Sequence, residues 1–204
     1  SMKQKHLFNK KLEKYHISKS KYNISWLGHN NKPETRQEHD FYPTPPEAVY
    51  PLLKKEKFKG EIWECACGDG AISKILEENN YNVYSSDLID RGYGDIGKDF
   101  LKTFRKTDNI ITNPPFKISV PFVYHACNLS KYKVAMFLRL GFLEGVERSE
   151  LFKKTPLKKV YVFIRRLKFV RPHDKKTANG GGFFAFAWFI WEKNYNGKPT
   201  IEWI

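Results

Sequence analysis

The sequence predicts an α/β protein built on a doubly wound sheet, mostly parallel, with an antiparallel edge at its C-terminal end. Three observations predict it. Short apolar runs alternate with helix-period segments from Phe41 onward. The runs end on charged, glycine or asparagine residues, as strands do where the carboxyl edge of an open sheet receives a ligand. The last part of the chain is β-rich, with strands expected over 159–164, 183–191 and 200–203, and these supply the antiparallel edge.

Each element has its own signal. Thr44-Pro45-Pro46-Glu47 starts a helix, with proline in the first turn and a carboxylate near the positive end of the dipole. Val49, Leu52 and Leu53 then follow at helical spacing. Glu61–Glu64 reads as a short strand running into Cys65-Ala66-Cys67-Gly68-Asp69-Gly70, and Ile72, Ile75 and Leu76 mark the next helix. A second strand, 82–86, ends at Asp87, and a third, 109–112, ends at Asn113-Pro114-Pro115-Phe116. A helix over 118–129, a strand over 134–140 and a helix over 143–152 complete the alternation. The dense aromatics Phe184, Phe186 and Trp188 alternate along their run and read as sheet core, with a base-stacking platform as the alternative.

Composition bounds the class. With 204 residues, 41% hydrophobic and 28% charged, the chain is long enough for one cored domain plus a small appendage. The expected division is a basic N-terminal arm, 1–40, and a catalytic domain, 41–204, carrying a basic, loop-rich segment at 151–183. Three cysteines make no disulfide framework, and Cys65-Ala66-Cys67 is not zinc spacing, so no metal is expected. No apolar run reaches the roughly 20 residues that cross a bilayer, and no secretory signal is visible, so a soluble, cytoplasmic protein with no membrane partner is expected.

Charge is more informative. The net formal charge is +14. Residues 61–130 carry seven basic and ten acidic side chains, whereas 151–176 carry ten basic and one acidic. An acidic middle flanked by basic stretches suggests a small-molecule site bracketed by surfaces that attract a polyanion.

Gly68 and Gly70 permit a tight turn and close approach of backbone to a ligand. Asp87, at the next strand end, can accept both hydroxyls of a ribose. The site is not built for pyrophosphate: there is no Walker lysine, Ser73 stands where G-x-G-x-x-G has its third glycine, and Glu64 and Asp69 would repel phosphate. A cationic nucleoside such as S-adenosylmethionine suits an acidic pocket better.

Taken in order, Phe41-Tyr42-Pro43-Thr44-Pro45-Pro46, Glu64-x-Ala66-x-Gly68-x-Gly70, Asp87, Asp99-Phe100 and Asn113-Pro114-Pro115-Phe116 resemble the motifs of class I methyltransferases acting on the N6 amine of DNA adenine. The compact phage and prophage-type enzymes are the most similar, over residues 40–204. The resemblance implies a Rossmann-like methyltransferase sheet and S-adenosylmethionine as cofactor. It implies that Tyr42 and Thr44 lie at the methionine carboxylate and that Glu64, Ala66, Gly68 and Gly70 line the methionine end. Asp87 would then bind the ribose, while Asp99 (with Asp95 a rival) and the backbone of Phe100 would read the cofactor adenine. A helix N-cap is the alternative role for Asp99.

An exocyclic adenine amine is a poor nucleophile because its lone pair is delocalised into the ring. If the Asn113 oxygen and the Pro114 carbonyl each accept an N6 hydrogen bond, the nitrogen is drawn towards tetrahedral geometry. Pro114 and Pro115 stiffen the chain and bring carbonyls without competing N–H groups. Phe116 would stack on the base, worth about 1–3 kcal/mol. Duplex DNA would require flipping of the target nucleotide. Arg165, Arg166, Lys168, Arg171, Lys175 and Lys176 are the expected backbone contacts, with the Gly180–Gly182 loop allowing closure and His173 and Asn179 as candidates to reach base edges. RNA adenine is the nearest alternative substrate, since Asn-Pro-Pro-Phe also occurs in RNA enzymes. A non-catalytic nucleic-acid-binding relative of the fold is another. At this length no separate target-recognition domain of the kind larger DNA methyltransferases carry is expected, so either the 140–183 region reads the site, or specificity is low, or a partner supplies it.

Overall fold

The computed structural model describes residues 43–169 and 184–204, all within the compact unit Phe41–Ile204. Helix α1 (Pro46–Lys55) precedes strand β1 (Ile62–Glu64), helix α2 (Ala71–Glu78) and strand β2 (Val83–Ser85). Strand β3 (Thr107–Thr112), helix α3 (Ser119–Leu129), strand β4 (Ser130–Arg139) and helix α4 (Val146–Lys154) follow. Strands β5 (Leu157–Val162), β6 (Phe186–Glu192) and β7 (Thr200–Trp203) close the described chain. The expected 1–40 arm lies outside the described residues.

The seven strands form one sheet in the order β2-β1-β3-β4-β6-β5-β7. β2, β1, β3 and β4 pair in parallel. The antiparallel pairings stand at the C-terminal side, as expected, and β6 carries both of them, against β4 and β5. β7 then pairs in parallel with β5 at the outer edge. Ile201 and Trp203 are exposed on that edge.

Central strands covered on both faces need apolar side chains on both, whatever their direction, which is why β4 and β6 read as runs rather than alternations. On one face, Ile62, Ile111, Ala135, Phe137, Tyr161, Trp188 and Ile190 pack against Val49, Leu52 and Leu53 of α1 and Ile72, Ile75 and Leu76 of α2. On the other, Trp63 meets Phe100, which in turn contacts Phe122 and His125 of α3. The buried indoles satisfy their N–H groups: Trp188 donates to the Ala48 carbonyl at 2.7 Å, Trp191 to Thr155 at 3.0 Å and Trp63 to Ser86 at 2.8 Å.

The β2–β3 connection departs from regular alternation. It has no α-helix, only a bridge between Ser86 and Asp95 and a short 3-10 turn, Phe100–Lys102. Burial of Phe100 anchors it to the sheet. Phe184 also departs from the expectation. Trp188 is fully buried, but Phe184 is 52% exposed, because it precedes β6 and stands beyond the carboxyl edge.

Candidate functional site

The ends of β1, β2, β3 and β4 and the start of β6 all lie along the carboxyl edge of the sheet. β1 delivers Glu64 and turns through Cys65–Gly70 into α2. The turn is pinned from below by Cys67 N–H donating to the Ser86 carbonyl at 3.1 Å. Gly70 has φ +84°, and a Cβ there would stand 2.6 Å from the Tyr93 ring, so only glycine fits. Ser73, at the third-glycine position, is buried and tolerated because its hydroxyl accepts from Ser85 at 2.7 Å.

Asp87 holds this turn. One carboxylate oxygen accepts from Gly68 N–H at 2.8 Å, the other from Ile89 N–H at 2.9 Å, and the Arg91 guanidinium lies 4.0 Å away. The residue expected at the ribose is therefore also the brace of the glycine turn, with 8% of its surface exposed. Glu64 is 1% exposed and accepts from Ala66 N–H at 3.3 Å. Burial pushes its carboxyl up to about 8, and the nearby Asp87 charge adds to the rise. Cys65 and Cys67 rise for the same reason, Cys67 to about 12, which keeps both thiols protonated and inert.

Asp99 stands at the start of the 3-10 turn Phe100–Lys102. Its carboxylate accepts from Leu101 N–H at 3.1 Å and caps the 3-10 turn, with Lys102 3.4 Å away. Phe100 turns its ring into the core, so only its backbone can face a ligand. Asp95 accepts from the Tyr84 hydroxyl at 2.9 Å and lies 3.7 Å from Lys98.

β3 leads from buried Thr112 into Asn113-Pro114-Pro115, and a 3-10 turn follows at Phe116–Ile118. Ser119 Oγ closes this corner by donating to the Phe116 carbonyl at 2.9 Å. The Asn113 amide NH2 donates to Thr44 Oγ1 at 3.0 Å, so two motifs 69 residues apart meet at one point. The Thr44 hydroxyl is buried just ahead of α1.

Phe116 is half-buried. Its ring lies 6.0 Å from Phe186, and the Arg139 guanidinium stands 4.8 Å from its centre. Arg139 is the last residue of β4, and its guanidinium is also 3.9 Å from the exposed Phe184 ring. The sequence analysis did not single out Arg139, and it assigned Phe184 to the sheet core. A single arginine closing the apolar run Val134–Leu138 was the available signal, since strand ends were already the expected ligand edge.

Of the expected nucleic-acid contacts, Arg165, Arg166 and Lys168 are exposed on the segment that leaves β5. Leu167 and Phe169, between and after them, pack inward, with Phe169 4.9 Å from Phe186. Tyr42, Arg171, Lys175, Lys176, His173, Asn179 and the Gly180–Gly182 loop lie outside the described residues. Among the described residues no group of three or more His, Cys, Asp or Glu could hold a metal ion, and no helix is long and apolar enough to cross a membrane.

No protein-family profile matches the chain. It is 27% identical over 158 residues to an uncharacterized adenine-specific methylase of Mycoplasma pneumoniae, an alignment covering 67% of this chain and 36% of that protein. The chain thus spans about a third of the length of the curated relative it matches. Among solved structures, it is similar to a modification subunit assigned to a type I restriction enzyme from Vibrio vulnificus YJ016 (TM-score 0.57, 12% identity, 100% of this chain and 52% of that one). It is also similar to the magnesium protoporphyrin IX methyltransferase of Synechocystis PCC 6803, solved with bound S-adenosylmethionine (TM-score 0.52, 13% identity, 81% and 86%). A dimethyladenosine transferase from Plasmodium falciparum matches with TM-score 0.51 and 17% identity over 74% of this chain and 62% of that one. At these identities the likeness is one of architecture: the described domain has the Rossmann-like fold of S-adenosylmethionine-dependent methyltransferases.

Proposed function

We propose that this chain transfers a methyl group from S-adenosylmethionine to the N6 amine of adenine in DNA. The observation that carries the reading is the Asn113 amide, fixed by Thr44 at the end of β3 and followed by Pro114 and Pro115 with Phe116 beside them. The similarity to an adenine-specific methylase points the same way.

The residues present fit the cofactor. Gly68 and Gly70 form a turn that a backbone-contacting ligand can approach, and Glu64 and Asp87 provide two buried carboxyls beside it. Glu64, held protonated by burial, regains its charge when a cation lies next to it. Thr44, Glu64, Ala66, Gly68 and Gly70 would hold the methionine end and Asp87 the ribose, with Phe100 backbone and Asp99 or Asp95 at the adenine. The cofactor supplies an electrophilic methyl group on a sulfonium.

The chain's own residues do the rest. With its NH2 end committed to Thr44, Asn113 offers its oxygen to one N6 hydrogen, and the Pro114 carbonyl accepts the other. The two bonds localise the nitrogen lone pair, and positioning supplies most of the acceleration. Phe116 supports the base by stacking. One N6 proton leaves after transfer and needs no strong base, because the methylated nitrogen is acidic until it loses it. Arg165, Arg166 and Lys168 hold the strand by its backbone while the base is flipped.

The test supplies labelled S-adenosylmethionine with unmethylated duplex DNA, single-stranded DNA and total RNA in parallel, with products digested to nucleosides. The expected outcome is N6-methyladenine in DNA, absent with Asn113→Ala, whose cofactor binding in calorimetry is retained. Label in RNA alone would replace the substrate. No cofactor binding by the wild type would refute the enzyme reading.

A further inference from the structure

Arg139 has a setting that the reading above does not use. Its guanidinium stands over two aromatic rings, 4.8 Å from the centre of Phe116 and 3.9 Å from that of Phe184. Its Nε is buried and has no hydrogen-bond partner among the described residues. Among the described residues no carboxylate lies within ion-pair distance of it, although ten other cation–carboxylate pairs form across the same domain. An arginine is always charged, and leaving a buried donor unsatisfied is costly, so such a group persists where a ligand completes it.

The geometry defines the missing ligand. With its planar face against aromatic rings, the guanidinium keeps its N–H rim for a ligand, and that rim recognises oxyanions, often through two parallel bonds. Position narrows the choice. Arg139 pairs with Phe186 in the last rung between β4 and β6, and Phe186 contacts both Phe116 and Phe169. Phe169 belongs to the segment that exposes Arg165 and Lys168. The lone cation thus touches the ring that follows Asn113-Pro114-Pro115 and adjoins a basic segment.

We infer that Arg139 binds a phosphodiester oxygen of the substrate strand next to the adenine being methylated, with Phe116 and Phe184 holding the guanidinium in place. This rests on the proposed methyl transfer to nucleic acid. It makes Arg139 a substrate-binding residue that couples the flipped base to its own backbone.

The experiment compares the full-length wild type with Arg139→Gln and Arg139→Lys, using an adenine-containing oligonucleotide. It measures binding against salt, methyl transfer, S-adenosylmethionine affinity by calorimetry and the melting curve. Arg139→Gln is expected to bind the strand about tenfold or more weaker, and its slope of log affinity against log salt should fall by about one. Cofactor affinity should stay within about twofold. Arg139→Lys should keep the slope and lose affinity several-fold, and it carries the test if the glutamine variant does not fold. A single neutral methylphosphonate beside the target adenine should reproduce the loss in the wild type and cost Arg139→Gln nothing further.

An unchanged salt slope with lost activity would overturn the inference in favour of a base contact or a packing role. Loss of cofactor affinity would overturn it in favour of the methionine carboxylate. Full activity and binding in both variants would defeat this inference while leaving the proposed function standing. A wild type that binds no nucleic acid would defeat both.

Discussion

Replacing Asp87 with asparagine separates two roles that coincide at this residue. In the structure its two oxygens accept from Gly68 N–H at 2.8 Å and Ile89 N–H at 2.9 Å, from a nearly buried position. Asparagine keeps one acceptor and turns an NH2 group towards the other backbone N–H. One charge-assisted bond is lost and one donor is left facing a donor, for a cost of about 2–3 kcal/mol. For a chain of this length that cost lowers the melting temperature by roughly 4–12 °C. The assay is thermal and urea denaturation of the protein without cofactor, followed by calorimetric titration with S-adenosylmethionine. Cofactor affinity should also fall, because the glycine turn loses its brace. A ligand-free melting point unchanged to within about 1 °C, with cofactor binding lost, would refute the reasoning. Asp87 would then serve the ligand alone.

Thr44→Val removes the acceptor that orients Asn113 and should lower kcat of methyl transfer about tenfold or more, while Thr44→Ser restores it; steady-state kinetics with a fixed oligonucleotide decide this. Glu64 gives a pH dependence of defined sign. Its folded value of about 8 lies above the ordinary 4.5, so between these the native state holds a proton that the unfolded chain has released. Stability should therefore decline as pH rises from about 5 to about 8, and Glu64→Gln should flatten the decline in urea titrations. Arg105 forks onto Glu61 at 2.6 and 2.8 Å and stacks 4.4 Å from the Tyr84 ring, at the amino end of the strands. Arg105→Lys loses the fork and the stacking, and should cost roughly 1 kcal/mol of stability with kcat intact, as denaturation and turnover measured together would show.

Much of the architecture was legible because local signals and global fold agree. Proline at the start of α1, the glycine turn after β1, and the apolar runs of β3, β4 and β6 each point to the element that forms. The Asn113–Phe116 corner was legible too, since proline restricts the backbone wherever it stands. Phe184 was misplaced in the core because alternation alone cannot say where a strand begins, and β6 begins only at Phe186, which leaves Phe184 exposed ahead of it. Asp99 satisfies the nearest backbone donor, a contact set by the turn it caps.

The sequence by itself determined the order of elements, the residue types at each strand end and the uneven charge, because these follow from propensity and periodicity along the chain. Tertiary structure alone decided which ends meet. It brought Thr44 to the Asn113 amide, turned Asp87 back onto Gly68 and set Arg139 against Phe116 and Phe184. Those contacts depend on strand order and register, which the hydrogen-bonded sheet fixes across separations of up to 69 residues.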